Sequence, residues 1–349
     1  MEERNARSGI DFVVTWVDGG DPAWQAERNR FCTDGAAFGN KSARFRDWDL
    51  FRFWFRGVEK FAPWVDRVHL VTWGHVPAWL DVSHPKLNVV RHDDFIPAEF
   101  LPTFNSHTIE LNMHRIPGLS DRFVYFNDDV FLLDAVTPRF FFDGQLPRDY
   151  FGLDVPKFQT GTIAHIMGED MSVINDNFRA SDIYRRNWRK MLAPSLGIRR
   201  IARNLALRGF FRSFIPGFGN RHTFMAFNRE TFEALWEREG NRLRDTCSHR
   251  FRTQLDVSVW AMRYWQLATG RFFSASPDRY RCKNVSATGV NEIVRSILRR
   301  EYAVLCVNDN SLFDGTDAVV ERLRASFAEA FPQKSAFELN LEGEVMNDG

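Results

Sequence analysis

The sequence predicts an α/β protein organised on a mostly parallel sheet, and three observations carry that expectation. Short apolar runs alternate with amphipathic stretches through the first half of the chain, the pattern of strands that feed helices. The runs are separated by segments long enough for the crossover helices that parallel neighbours require. Two of the early runs end in acidic loops, and sheets of this kind gather ligands at their C-terminal strand ends.

Taken in order, Ile10 to Trp16 reads as a first buried strand, with Val17-Asp18-Gly19-Gly20-Asp21 as its exit loop. From Asp47 to Phe61, Leu50, Phe51, Trp54, Phe55 and Val58 recur at helical spacing, with Asp47 as the N-cap. Val68 to Thr72 and Leu87 to Val90 are the next strands, and Thr108 to His114 is a helix that stops before Pro117-Gly118. Phe123 to Phe126 is a fourth strand running straight into Asn127-Asp128-Asp129. Arg229 to Glu239 and Asp256 to Ala268 are amphipathic helices. Ala303 to Val307 is a short strand leading into Asn308-Asp309-Asn310, and Asp317 to Phe331 is a last helix before a loose acidic tail.

One stretch breaks the pattern. Ile183 to Arg229 carries eleven Lys and Arg and no Asp or Glu. Within it Ile198, Ile201, Leu205 and Phe210 lie roughly on one helical face among Arg199, Arg200, Arg203, Arg208 and Arg212. Such a segment suits a lid over an anionic substrate, a surface for an anionic polymer, or a membrane-surface helix; an ordinary helical hairpin with solvated arginines would look the same. The expected organisation is a disordered tail at 1–9, a catalytic core at 10–182 and 216–315, a basic helical insertion at 183–215, and a C-terminal helix and tail at 316–349.

The chain has 349 residues, enough for a full core, and a net charge of +1, which by itself argues neither for nor against nucleic acid. Its 34 Phe and 11 Trp fill a core or offer sugar-stacking platforms. Cys32, Cys247, Cys282 and Cys306 form no CxxC pair and read as reduced core cysteines, neither a zinc site nor a disulfide framework. No apolar run reaches the roughly 18–20 residues that span a bilayer, and residues 1–9 hold no apolar leader, so a cytoplasmic protein is expected.

Adjacent carboxylates after a buried strand, Asp128 and Asp129, suit Mg²⁺ or Mn²⁺, hard ions that prefer oxygen ligands. A helix cap or Asx-turn would use the same residues. Asn308-Asp309 repeats the arrangement and would join the same site or form an unrelated turn. His222 and Arg252 are ambiguous alone, although Arg suits phosphate through its bidentate fork. No Walker loop, GxSxG elbow or HExxH helix is present.

Together these segments resemble the Stealth family, which includes bacterial capsule hexose-1-phosphate transferases and the catalytic α/β precursor of animal N-acetylglucosamine-1-phosphotransferase. The resemblance rests on four blocks in order. The first is Ile10 to Asp21, IDFVVTWVDGGD. The second runs from Arg44-Phe45-Arg46-Asp47 through Ala62-Pro63-Trp64-Val65, Val71-Thr72-Trp73-Gly74 and Leu101-Pro102-Thr103-Phe104-Asn105-Ser106 to Phe126-Asn127-Asp128-Asp129. The third is looser, with His222 near its start and His249-Arg250-Phe251-Arg252 and Asp256 near its end, and the fourth is Leu305 to Asn310. Trp48-Asp49 departs from the Asn-Glu of many relatives.

The resemblance implies a Rossmann-like, glycosyltransferase-A-like fold. It implies transfer of a hexose- or N-acetylhexosamine-1-phosphate from a UDP-sugar to a glycan or phosphoglycan hydroxyl, with UMP released. Asp128, Asp129 and Asp309 are then expected to hold the metal, to take the hydroxyl proton, or both. His222 and Arg252 would sit at the phosphates, His222 as a second candidate base. Trp16, Val17 and Asp18 would contact the nucleotide; Asn105, Ser106 and Glu110 would frame the sugar; Arg44, Asn127 and Asn308 would complete the substrate contacts. The basic segment would receive an anionic acceptor or touch the inner face of the membrane, with no nucleic-acid partner and a homo-oligomer allowed. The rival readings are a glycosyltransferase of the same fold, which releases UDP, and a non-catalytic carbohydrate-binding module.

Overall fold

The computed structural model describes residues 9–32, 48–159, 163–309 and 317–339. Arg44, Asp47, most of the N-terminal tail and the end of the acidic tail therefore lie outside the described residues.

The chain begins with β1 (Ile10–Thr15) and α1 (Pro22–Phe31), whose N-cap Asp21 accepts from the Trp24 amide. Helix α2 (Phe51–Phe61) has Leu50 as its N-cap, with no side-chain cap bond, and the expected cap Asp47 lies outside the described residues. Strands β2 (Val68–Thr72) and β3 (Leu87–Arg91) lead to α3 (Ser106–Asn112). That helix begins two residues before the expected Thr108 because the Asn105 side chain accepts from the His107 amide and caps it there. Next come β4 (Arg122–Asn127), β5 (Val130–Leu132), α4 (Pro138–Phe141), β6 (Phe142–Asp143) and β7 (Leu146–Asp149).

The middle of the chain is helical, with α5 (Ala164–Asn177), α6 (Ala180–Met191) and α7 (Ile198–Phe210), followed by β8 (Met225–Asn228). Helix α8 (Arg229–Ser248) runs past the expected end at Glu239, where the backbone kinks without stopping. Helix α9 (Val259–Thr269) starts at its Ser258 cap, three residues later than expected. The chain closes through β9 (Phe273–Ser274), β10 (Tyr280–Asn284), α10 (Val290–Leu298), β11 (Val304–Asn308) and α11 (Asp317–Ala330).

The main sheet has the order β3-β2-β1-β4-β8, parallel except at β8, which confirms the α/β, mostly parallel expectation. Side chains alternate across it. Phe12, Val14, Val124 and Phe126 face one core with α2, α10 and α11; Val13, Phe123 and Tyr125 face the other with α3, α8 and α9. A second sheet, β10-β11-β5, continues from the end of β4. Gly57 lets α2 lie against it, since a Cβ there would meet the Leu132 carbonyl oxygen at 2.7 Å.

One expectation needs correction. The stretch after Phe331 is not loose as far as Leu339: Arg56 Nε and a terminal nitrogen each donate to Glu338 at 2.7 Å, and Phe337 is buried. On α7, Ile198 and Phe210 are 78% and 83% exposed, while Leu207 packs against the core and buried Asn204 is bonded to Leu153, Phe151 and Met191.

Candidate active site

Strands β1 and β4 lie side by side with Thr15 opposite Asn127, so the loop holding Asp18 and the Asn127-Asp128-Asp129 run leave the sheet at one edge. The run is a tight link between β4 and β5, and the Val307 amide donates to the Asp129 carbonyl at 2.9 Å. That bond brings the end of β11, and with it Asn308 and Asp309, to the same place. The two Asn-Asp strand ends therefore belong to one locality.

Around this edge the polar side chains form a connected group. The Tyr125 hydroxyl, buried under the strand end, lies 2.7 Å from Asn127 Oδ1, 3.2 Å from Glu110 Oε1 and 3.2 Å from Thr15 Oγ1. Burial first, and then the charge of Glu110, holds its phenol well above the usual range, so it remains a donor. His222 Nε2 lies 3.4 Å from Asn127 Nδ2 and 3.6 Å from Asp129 Oδ2. Burial alone would lower the His222 pKa, but the bond and charge of Asp129 outweigh it and raise it to about 9. With Asp129 beside it as an anion, the imidazolium form is favoured near neutrality.

On the far side, Arg252 donates to Ser106 Oγ, and its charge reaches both Tyr125 and His107. The loop carrying it is held by Asp256, whose carboxylate lies 2.9 Å from Asn105 Nδ2, 3.1 Å from His107 Nδ1 and 2.8 Å from His249 Nδ1. Thr253 adds a backbone and a hydroxyl donor. Burial would raise the Asp256 pKa, but the bonds from His107 and Thr253 hold it down at about 2.

Several expected contacts have other occupations. The Asp18 carboxylate accepts from the Gly20 amide at 2.7 Å, and its own amide donates to His75 Nε2 at 2.8 Å. The Trp16 indole is buried and stacks on Phe51, with its amide donating to Val71, so little of it faces the loop. Val17 remains half-buried beside them. Asn105 is fully buried and uses both ends of its amide on protein. Asn308 donates to Asn284 at 2.7 Å. Tyr125 and Asp256 escaped the sequence reading because neither carries a motif of its own; the only signal was their place inside the second and third blocks.

The residues at this edge fit a divalent cation. Asp129 Oδ1 is buried and has no hydrogen-bond partner among the described residues, which is costly for a carboxylate unless something else meets it. Asp128 is exposed beside it and Asp309 half-buried, and oxygen donors of this kind suit a hard ion.

Comparisons with known proteins bear on this geometry. Residues 9–31 match the model of Stealth protein conserved region 1, and residues 44–149 that of conserved region 2. The chain is 36% identical over 336 residues to a capsular polysaccharide phosphotransferase, WcwK, of Streptococcus pneumoniae, covering 94% of this chain and 98% of that one. It is 36% identical to the receptor polysaccharide phosphotransferase WefC of Streptococcus oralis, covering 95% and 99%. It is 35% identical to the exopolysaccharide phosphotransferase cps2G of Lactiplantibacillus plantarum, covering 94% and 96%. Among solved structures, the galactosyltransferase LgtC aligns with a TM-score of 0.41 and 12% identity, over 93% of this chain and 98% of that one.

Proposed function

The chain belongs to the Stealth family, with bacterial polysaccharide phosphotransferases among its relatives, and on that premise we propose that it moves a hexose- or N-acetylhexosamine-1-phosphate from a UDP-sugar to a glycan hydroxyl. The observation that supports this reading is that the two Asn-Asp strand ends meet through the Val307–Asp129 backbone bond, with His222 Nε2 3.6 Å from Asp129 Oδ2 and the Arg252 charge reaching Tyr125 beneath Asn127. A divalent cation held by Asp128, Asp129 and Asp309 would supply charge neutralisation on the diphosphate.

The chain's own residues do the rest. The acceptor oxygen attacks the phosphorus next to the sugar; the bond from that phosphorus to the bridging oxygen breaks, and UMP leaves with the bridging oxygen. Protonated His222 and the Arg252 guanidinium neutralise the non-bridging oxygens. The hydroxyl proton passes to the carboxylate run, whose Asp128 is solvent-exposed. Glu110 and Asn127, tied together through Tyr125, line the sugar side, and Ser106 orients Arg252.

The test is the nucleotide released when UDP-sugars are presented with and without Mg²⁺ or Mn²⁺. UMP supports the proposal, UDP points to ordinary glycosyl transfer, and no release at all points to a binding module. Asp128→Asn is expected to cut UMP release at least ~100-fold with an unchanged circular dichroism spectrum; near-normal turnover would remove the run from the chemistry.

For the acceptor we propose the basic face of α7. Arg200 and Arg203 are already paired with Asp278 and Asp154, while Arg199 has no ion pair among the described residues. Arg199→Glu is therefore expected to raise the KM for an anionic acceptor severalfold and leave donor hydrolysis unchanged. Equal loss of both would assign it a structural role.

A further inference from the structure

The carboxylate run has a sulfur neighbour that hard-metal chemistry does not use. Cys306 Sγ lies 3.4 Å from Asp129 Oδ2, the same oxygen that faces His222 Nε2 at 3.6 Å. The ligand atoms of Asp129, His222 and Cys306 all fall within 4.8 Å of one another. Donors sharing one tetrahedral zinc at about 2.0–2.3 Å stand roughly 3.3–3.8 Å apart, so small side-chain adjustments would bring all three onto one ion.

We propose that Asp129, His222 and Cys306 form a binding site for a thiophilic divalent cation of the zinc or cadmium class. One oxygen, one nitrogen and one sulfur are the donor set of a borderline-soft ion, whereas Mg²⁺ gains nothing from a thiolate. Cys306 is fully buried in β11 and forms the floor of the site. The His222 and Asp129 side chains, 44% and 25% exposed, form its mouth. That leaves a fourth position open to water, as in sites with three protein ligands. Cys282 stands behind the group, its Sγ 3.4 Å from that of Cys306, and can hydrogen-bond the thiolate. In such a site the sulfur binds as a thiolate and the imidazole as the neutral ring. Because Asp129 is shared, such an ion would exclude the hard ion of turnover. This inhibitory consequence rests on the proposed function, but the binding itself does not.

The experiment titrates Cd²⁺ into the full chain with its thiols reduced and no nucleotide present, following the ultraviolet thiolate-to-cadmium charge-transfer band and the heat of binding. The expected result is one Cd²⁺ per chain, with the band lost in Cys306→Ser and affinity at least 10-fold weaker in His222→Ala. No band, or a band that survives Cys306→Ser because another thiol holds the ion, overturns the inference. If the buried Cys306→Ser variant does not fold, exposed His222→Ala decides, since an unchanged affinity there also overturns it. No turnover enters either readout, so a negative result leaves the phosphotransfer reading standing, and failure to release UMP leaves the triad standing.

Discussion

At the scale of single residues, the site depends on groups that touch one another more than on groups that face solvent. Tyr125 is the clearest case. Its hydroxyl ties Glu110 to Asn127 across the strand end, and its ring is fully buried. Tyr125→Phe keeps the packing and removes that tie together with the contact to Thr15. The expected cost is about 1 kcal/mol of stability, read in urea melts, with UMP release about 10-fold slower because the two groups proposed to line the sugar side lose their common reference. Turnover equal to the parent would show that Glu110 and Asn127 hold their positions without it.

At the scale of elements, polar anchors do work that apolar faces usually do. Helix α7 presents Ile198, Leu205 and Phe210 to solvent and is fastened by Asn204, whose amide meets three backbone groups of neighbouring segments. Asn204→Ala leaves those groups unmet and is expected to cost about 2–3 kcal/mol. Faster proteolysis within 192–214 than elsewhere would locate the loss in this helix, and a uniform loss would show that it unfolds with the core. The C-terminal segment is fastened similarly by the Arg56–Glu338 pair, which closes the α2 side of the core.

At the scale of the whole molecule, Asp256 joins the start of α3 to the loop between α8 and α9, and so couples the sheet's site edge to the helical half. Its folded pKa of about 2 lies below the ordinary unfolded value near 3.9. The stability it contributes is therefore fully present above about pH 4 and is lost as the pH falls through about 2, a change of ~2 kcal/mol. Urea melts between neutrality and pH 2 should show this acid loss, and Asp256→Asn should be less stable at neutral pH with a flatter acid limb. An unchanged limb would mean that other carboxylates dominate acid unfolding.

The sequence by itself determined the parallel α/β class, the strands at Ile10, Val68, Leu87 and Phe123, and the prominence of the Asn127-Asp128-Asp129 run. Strand alternation and strand-end carboxylates are local patterns, legible one segment at a time. It also specified the family, through blocks long enough to be distinctive. Only the tertiary structure decided which residues share a site. Asn105 and Asp18 read as substrate contacts in one dimension, and the fold adds that their side chains cap α3 and close the first loop. Cys306, with no partner at motif spacing, reads as core and is fully buried there, and the pairing of β11 with β5 also sets it against Asp129. Register and burial fix such contacts, and both are properties of segments far apart in the chain.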